Sequence, residues 1–182
     1  EEALKNGNKE RIIQSSNLIA SIKENKNIVD RFEDCKKILK TRCTHHDTKI
    51  SNVLFDEQDK GICVIDLDTV MPGYFISDVG DMMRTYLCPV SEEEKDLSKI
   101  VVRKAFYDAI VDGYLAEMGE ELGQNEKKYF HFAGEFMIYM QAIRFLTDHL
   151  NDDVYYGANY DGHNFVRAAN QLELLRQYQQ LK

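Results

Sequence analysis

Residues 45–70 read HHDTKISNVLFDEQDKGICVIDLDTV, and they contain two short β-prone runs. The runs cover residues 53–55 and 62–65, and a polar segment that ends in Gly61 separates them. Glycine adopts positive φ at little cost, so we expect Gly61 to reverse the chain there. The pattern therefore predicts a β-hairpin, and Pro72-Gly73 predicts a turn shortly after it.

Helical periodicity dominates the chain on both sides of this hairpin. Before it, one apolar stripe repeats at spacings of 4, 3 and 4, which is typical of an amphipathic helix: Ile28, Phe32, Cys35 and Leu39. After it, residues 130–150 predict a helix with apolar residues on most of its circumference. Residues 164–182 predict a final helix. Ser91 with three following glutamates predicts the start of another helix. The expected fold is one mainly α unit, residues 1–182, with a small β-hairpin.

Composition excludes several classes of protein. The 182 residues are 43% hydrophobic and 30% charged, with a net charge of −8, so the chain can bury a core. An acidic balance argues against a nucleic-acid polymer or an anionic membrane as partner. No apolar stretch reaches the roughly 18–20 residues that span a bilayer. The four cysteines lack C-x-x-C spacing, which favours reduced core thiols and a cytoplasmic location.

The chemistry-bearing residues flank the predicted hairpin. Asp47 and Asn52 precede its first strand, and Asp66 follows its second. A hairpin returns its two ends to the same edge, so we expect these three side chains to lie close together. A carboxylate and an amide oxygen suit Mg²⁺, and a second carboxylate can hold a hydroxyl for deprotonation. This combination is sufficient to suggest phosphoryl transfer from a nucleotide to an alcohol.

The spacing His45-x-Asp47-x-Lys49-x-x-Asn52 resembles the catalytic loop of the protein-kinase superfamily. Residues 64–68, Val-Ile-Asp-Leu-Asp, resemble the metal-binding strand of its aminoglycoside phosphotransferase and choline kinase branch. The amino-acid sequence from Thr41 to the chain end is similar to that of bacterial N-acetylhexosamine 1-kinases. The resemblance implies the C-terminal lobe of a protein-kinase-like fold and an ATP-dependent phosphotransferase.

The resemblance also implies a role for each residue of the loop. Asp47 is expected to accept the proton of a sugar's anomeric hydroxyl, with Lys49 offsetting charge on the transferring phosphate. His45 is expected to orient the loop by hydrogen bonding. Asn52 and Asp66 are expected to hold Mg²⁺, while ATP supplies the phosphoryl group.

Five further residues follow from the same resemblance. Asp78 is expected to brace the catalytic loop from behind. Contacts with a small-molecule acceptor, most simply a hexose or an amino sugar, are expected from Arg144 and Tyr155, and also from Asp68 and Arg84.

A kinase-like site also needs a lobe that covers the nucleotide. Only 44 residues precede His45, with one glycine, Gly7, no glycine-rich loop and no strand pattern. We therefore expect the nucleotide-binding lobe to be absent from residues 1–182, and this part alone to be inactive.

Three alternatives remain open at this point. Within the kinases, the acceptor could be an aminoglycoside, choline or another small alcohol. Outside them, His45, His46 and Asp47 also fit a metal-dependent phosphohydrolase that takes imidazole ligands. A kinase-like lobe that binds without transferring phosphate is the third.

Overall fold

The computed structural model describes residues 1–181. Four helices precede the β region, and they are α1 (Glu2–Asn6), α2 (Lys9–Gln14), α3 (Ser16–Glu24) and α4 (Asn27–Cys35). Four short strands follow, namely β1 (Arg42–Thr44), β2 (Val53–Phe55), β3 (Gly61–Val64) and β4 (Met71–Gly73). The remaining helices are α5 (Phe75–Tyr86), α6 (Lys104–Met118), α7 (Gln124–Lys127), α8 (Phe130–Leu150) and α9 (His163–Tyr178). The prediction of a mainly α fold with a small β part is confirmed.

Helix α8 lies at the centre of the helical body, packed between α5 and α9. Its sequence is apolar widely around the helix because both faces are covered, and Phe132, Ile138 and Phe145 are each at most 1% exposed. Burial of this kind is the main stabilising contribution to such a fold. Among the described residues, no helix is both long enough and apolar enough to cross a membrane.

Two antiparallel ladders are nested within the β region. The outer ladder pairs β1 with β4, where Arg42 lies opposite Gly73, and the inner ladder is the β2–β3 hairpin. The loop 45–52 connects β1 to β2, and the loop 65–70 connects β3 to β4, so both loops lie between the inner and the outer ladder. The nesting therefore brings the loops face to face.

The hairpin turn is built differently from the prediction. Gly61 has no positive φ and begins β3, whereas Asp59 takes the left-handed conformation with a φ of 59°. The Asp56 carboxylate accepts hydrogen bonds from the backbone N–H groups of Gln58 at 3.0 Å and Lys60 at 2.9 Å. This side chain stabilises the turn, since Asp readily bonds backbone groups a few residues on.

The predicted turn at Pro72-Gly73 is also wrong, because these residues form β4. Proline is tolerated there since the short ladder has a free edge. A Cβ at Gly73 would overlap the Thr44 hydroxyl and the His46 ring, so the close approach of the two strands requires glycine. The residues around Pro72 indicate an interruption of the chain's regular structure, but they do not indicate that this segment pairs with β1.

The predicted helix start at Ser91 is wrong as well. Residues 91–103 contain a single 3₁₀ turn, Leu97–Lys99, and α6 begins at Lys104. The carbonyl oxygen of Ser91 instead accepts a hydrogen bond from Asn170 Nδ2 of α9 at 3.1 Å. Long-range polar contacts with α9 therefore hold this segment in an irregular path.

The cysteines divide between core and surface. Cys35 is buried and Cys88 is half-buried, but Cys43 and Cys63 are exposed. The expectation of core thiols is wrong for these two because each lies in a two-stranded ladder that has little to cover it.

Candidate functional site

Helix α5 fixes the backbone of the loop that follows β1. The Asp78 carboxylate accepts the N–H of His45 at 3.0 Å and the N–H of His46 at 2.8 Å. The Thr48 hydroxyl donates to the Asp78 carbonyl oxygen at 2.8 Å. His46 has a φ of 67°, a conformation that costs a non-glycine residue about 1 kcal/mol or more. Asp78 thus holds the loop from behind, at a point where its backbone is strained.

His45 joins the two facing loops. Its Nε2 lies 3.0 Å from the carbonyl oxygen of Ile65, and its Nδ1 accepts the N–H of Asp47 at 3.3 Å. The two partners together assign the proton to Nε2. The Thr69 hydroxyl also donates to the His45 carbonyl oxygen at 2.6 Å. His45 therefore has an orienting position, with both ring nitrogens occupied.

Asp47 lies between a lysine and an amide. Its Oδ2 is 2.8 Å from Lys49 Nζ and 2.9 Å from Asn52 Nδ2. Within residues 1–181, no hydrogen bond is made to Oδ1, which leaves that oxygen available to a hydroxyl. Burial raises the pKa of Asp47, but the hydrogen bonds from Lys49 and Asn52 outweigh burial and lower it. The carboxylate is therefore ionised at neutral pH.

Asn52 lies on the loop 45–52 and Asp66 on the loop 65–70, and a backbone hydrogen bond joins the two loops. The N–H of Ile65 donates to the carbonyl oxygen of Asn52 at 2.9 Å, and Asp66 follows with a φ of 64°. Asn52 uses its amide nitrogen on Asp47, so its Oδ1 faces away from that carboxylate. The exposed Asp66 carboxylate has no protein hydrogen bond or ion pair within the described residues.

This donor set fits a magnesium ion. One amide oxygen and one carboxylate remain free of protein partners, and Mg²⁺ takes oxygen ligands while it keeps several waters and substrate phosphates. The described part of the chain contains no group of three or more His, Cys, Asp and Glu residues arranged for a metal. One carboxylate and one amide oxygen leave the other coordination positions to water and phosphate oxygens, as Mg²⁺ prefers, and neither residue supplies the imidazole or thiolate that a tightly bound transition metal takes.

Arg84 and Asp68 have different surroundings. Arg84 of α5 is half-buried, with its Nε 3.0 Å from Asp81 Oδ1 and its Nη1 2.7 Å from Glu92 Oε2. It shares the lining of a cavity of about 200 Å³ with Lys49. Asp68 is exposed in the 3₁₀ turn after Asp66 and makes no side-chain hydrogen bond within the described residues.

Arg144 and Tyr155 lie together but in another depression. The Arg144 guanidinium is 5.8 Å from the Tyr155 ring centre and 5.4 Å from that of Tyr156. These three residues line an open depression of about 400 Å³ on α8 and the loop that follows it. Within residues 1–181, neither Arg144 nor Tyr155 contacts the loop that carries Asp47 by hydrogen bond or ion pair.

Ion pairs that the sequence does not predict connect these two regions. Glu92 lies between Arg84 and Arg167 and pairs with both. Arg167 stacks 3.8 Å from the Phe145 ring centre, and its Nη1 donates to Asn164 Oδ1 at 3.2 Å. From the sequence, the glutamate run predicts only the start of a helix. No local pattern in the sequence signals this pairing, because its partners come from three separate segments.

The chain was compared with models of known protein families. The model of the phosphotransferase enzyme family matches residues 9–122, which is more than half of the chain. The matched part contains the β region, the Asp47 loop and α5, and it ends before α8 and α9.

Proposed function

The chain belongs to the phosphotransferase enzyme family, and on that premise we propose that it transfers a phosphoryl group from ATP to a sugar. The proposed acceptor is a hexose or N-acetylhexosamine, phosphorylated on its anomeric hydroxyl. One observation carries the proposal, namely the Asp47 carboxylate with Oδ2 held by Lys49 and Asn52 and with Oδ1 free.

Asp47 is the proposed general base. Its Oδ1 takes the proton of the acceptor hydroxyl as the hydroxyl oxygen attacks the γ-phosphorus of ATP and the bond from that phosphorus to ADP breaks. The lowered pKa keeps the carboxylate ionised for that task. Lys49 is proposed to offset the negative charge of the transferring group, and its ion pair with Asp47, at 2.8 Å from Oδ2, supports this role because it keeps the ammonium beside the proposed base. His45 and Asp78 act as positioning residues, since they hold the loop without reaching the reacting atoms.

Asn52 and Asp66 are the proposed magnesium ligands. When bound, the ion supplies positive charge that neutralises the phosphates of the nucleotide. Asn52 also donates to Asp47, so it joins the metal position to the base. Lys49 has its pKa raised by the hydrogen bond to Asp47 and also by the charge of Asp66, which supports a common site.

Contacts with ATP are proposed to come mainly from a second lobe outside residues 1–182. The apolar side chains that are exposed around the hairpin support this proposal, because neighbouring exposed apolar groups often mark an interaction surface. Its exposed members include Ile62 at 61%, Leu67 at 60% and Val64 at 52%. We propose a cytoplasmic location for the protein, because the proposed reaction consumes magnesium-bound ATP.

The phosphohydrolase alternative is weakened by the histidines. His46 Nε2 lies 2.7 Å from the Thr44 hydroxyl, and His45 has both ring nitrogens hydrogen-bonded. His45 therefore has no free ring nitrogen, and a transition-metal site that needs both imidazoles as ligands is disfavoured. The free oxygen of Asp47 likewise favours a catalytic lobe over one that only binds.

The test is ³¹P NMR of the complete natural protein with Mg²⁺ and ATP. The acceptor panel contains N-acetylglucosamine, glucose, choline and an aminoglycoside, and the 182-residue chain is run in parallel. We expect a sugar 1-phosphate resonance with the complete protein and none with residues 1–182 alone. Transfer to none of these acceptors would contradict the proposed function.

A further inference from the structure

The segment 91–95 runs between α5 and α9 without regular secondary structure. Asn170 of α9 fixes its backbone, because Asn170 Nδ2 donates to the carbonyl oxygens of Ser91 at 3.1 Å and Glu94 at 3.2 Å. Asn170 is 2% exposed, so these two hydrogen bonds are shielded from water. The side chain of Glu92, which lies between the two bonded carbonyl groups, therefore projects from a fixed backbone.

Glu92 holds an arginine of α5. Its Oε2 lies 2.7 Å from Arg84 Nη1. The other edge of the Arg84 guanidinium bonds Asp81 Oδ1, at 3.0 Å from Nε and 2.9 Å from Nη2. The side chains of Arg84 and Asp81 are 12% and 4% exposed, so this ion pair is shielded from water. The same helix holds the loop of the proposed base, since the Tyr86 hydroxyl donates to the carbonyl oxygen of Thr48.

Glu92 also holds an arginine of α9. Its other carboxylate oxygen, Oε1, pairs with Arg167 Nη2. The Arg167 guanidinium lies 3.8 Å from the Phe145 ring centre, and its Nη1 donates to Asn164 Oδ1 at 3.2 Å. Both oxygens of Glu92 thus bond an arginine, one on each helix. Charge-assisted hydrogen bonds are short and directional, so Glu92 fixes the distance between α5 and α9.

The network continues from α9 to the loop 151–162, which carries Tyr155. Asn164 is 0% exposed, and its Nδ2 lies 3.1 Å from Asp148 Oδ2. Asp148 Oδ1 accepts the backbone N–H of Tyr155 at 2.7 Å. From the sequence, Tyr155 is expected to contact the phosphoryl acceptor. Consecutive polar contacts therefore lead from Arg84, on the helix that holds the loop of the proposed base, to this expected acceptor contact.

We propose that Glu92 is a positioning residue of the phosphotransfer reaction, which keeps the loop of Tyr155 at a fixed distance from the loop of Asp47. The inference rests on the proposed function and deepens it, since the acceptor hydroxyl must be aligned with the carboxylate that takes its proton. A displacement of about 1 Å can lower a rate by about 10²-fold, even when its cause lies far from the reacting atoms. Glu92 acts through its two arginines and does not touch the reacting atoms.

The experiment measures kcat, the acceptor KM and the ATP KM of the complete protein by ADP release, with the best acceptor of the ³¹P panel. Glu92→Gln keeps the size of the side chain and removes its charge. Glu92→Asp keeps the charge, but its shorter side chain cannot reach both arginines. The control is Glu173→Gln, which removes the partner of Arg176 on α9. Tyr155→Phe removes only a hydroxyl and completes a double-mutant cycle with Glu92→Gln.

We expect kcat/KM for the acceptor to fall about tenfold or more in both Glu92 variants, with the ATP KM unchanged and Glu173→Gln like the wild type. Tyr155→Phe should by itself lower the acceptor kcat/KM about fivefold, the value of one hydrogen bond. The double variant should lose less than the product of the two single losses, by about threefold or more, because both changes act on the same acceptor contact. A merely structural role of Glu92 would lower the melting temperature and leave the two effects independent.

Three results would overturn the inference and leave phosphotransfer standing. One is an acceptor kcat/KM within about twofold of wild type in either Glu92 variant, when thermal unfolding shows it folded. Another is a Tyr155→Phe protein with wild-type kinetics. The third is a double variant whose loss equals the product of the single losses. Transfer to none of the acceptors by the wild-type protein would instead contradict the proposed function.

Discussion

At the scale of single residues, the proposed function depends most on the surroundings of the Asp47 carboxylate. One of its carboxylate oxygens is held by Lys49 and Asn52, and the other is free within the described residues. For Asp47→Asn in the complete protein we expect kcat to fall by about 10²–10⁴, because that is the usual contribution of a positioned base. Thermal unfolding and magnesium-nucleotide binding should change little. Activity within a few-fold of wild type would exclude Asp47 as the base.

Lys49 gives a pH dependence at the same scale. Its hydrogen bond lowers the pKa of Asp47, so the carboxylate stays ionised at lower pH than an ordinary aspartate does. Removing that bond in Lys49→Met should raise the pKa of Asp47. The acid limb of the kcat/KM profile should then move to higher pH, in addition to any loss of kcat. An acid limb at the wild-type pH would show that another group controls it.

At the scale of elements, Glu126 of α7 holds the start of β1. Its carboxylate accepts hydrogen bonds from Arg42 at 2.6 and 2.9 Å and from the backbone N–H groups of Gly123 at 2.9 Å and Lys40 at 3.1 Å. The bonds from Arg42, assisted by those backbone groups, lower the pKa of Glu126 to about 2. A buried carboxylate thus anchors the strand from which the Asp47 loop departs.

Linkage makes this contribution depend on pH with a fixed sign. Because the pKa of Glu126 is lowered, its stabilisation is complete above the ordinary pKa of 4.5 and is lost as pH falls toward about 2. For Glu126→Gln we expect the free energy of unfolding at pH 7 to fall by about 3 kcal/mol. The difference from wild type, measured by urea denaturation, should shrink below pH 4.5. The exposed Glu117→Gln is the control, and a difference that does not depend on pH would contradict the anchor.

At the scale of the whole molecule, the contact between α5 and α8 sets the position of the site. Gly80 of α5 lies directly against Ala133 of α8, and a Cβ there would overlap the Ala133 carbonyl oxygen. Asp78 is on the same helix, two residues before Gly80, and its carboxylate accepts backbone hydrogen bonds from His45 and His46 in the loop that contains Asp47. The close packing of α5 against α8 therefore affects the position of the loop that contains Asp47, the proposed base.

Gly80→Ala should disturb both the fold and the site. We expect the free energy of unfolding to fall by about 2 kcal/mol, as for an overpacked core, with a drop in melting temperature of roughly 4–8 °C. The matched control is Gly113→Ala in α6, where a Cβ has open space and should stabilise the helix by roughly 0.5–1 kcal/mol. Equal melting temperatures for Gly80→Ala and wild type would show that the helices separate freely.

Local sequence was sufficient for the parts of the molecule whose hydrogen bonds stay within one segment. Helical periodicity predicted α4, α8 and α9, and the two β-prone runs predicted the β2–β3 hairpin. The order of residues 45–66 also indicated that Asp47, Asn52 and Asp66 converge, because a hairpin returns its ends to one edge. Their roles in catalysis and metal binding remain predictions.

Only the tertiary structure decided which distant segments meet. Two examples join segments that are far apart in the chain: β1 pairs with β4, and Glu92 lies between Arg84 and Arg167. Such contacts depend on how α8 and α9 pack against α5, and side-chain periodicity encodes which face is buried but not which partner covers it. For this reason the sequence predicts the candidate site around Asp47, Asn52 and Asp66, but it does not predict the cavity that Lys49 and Arg84 line.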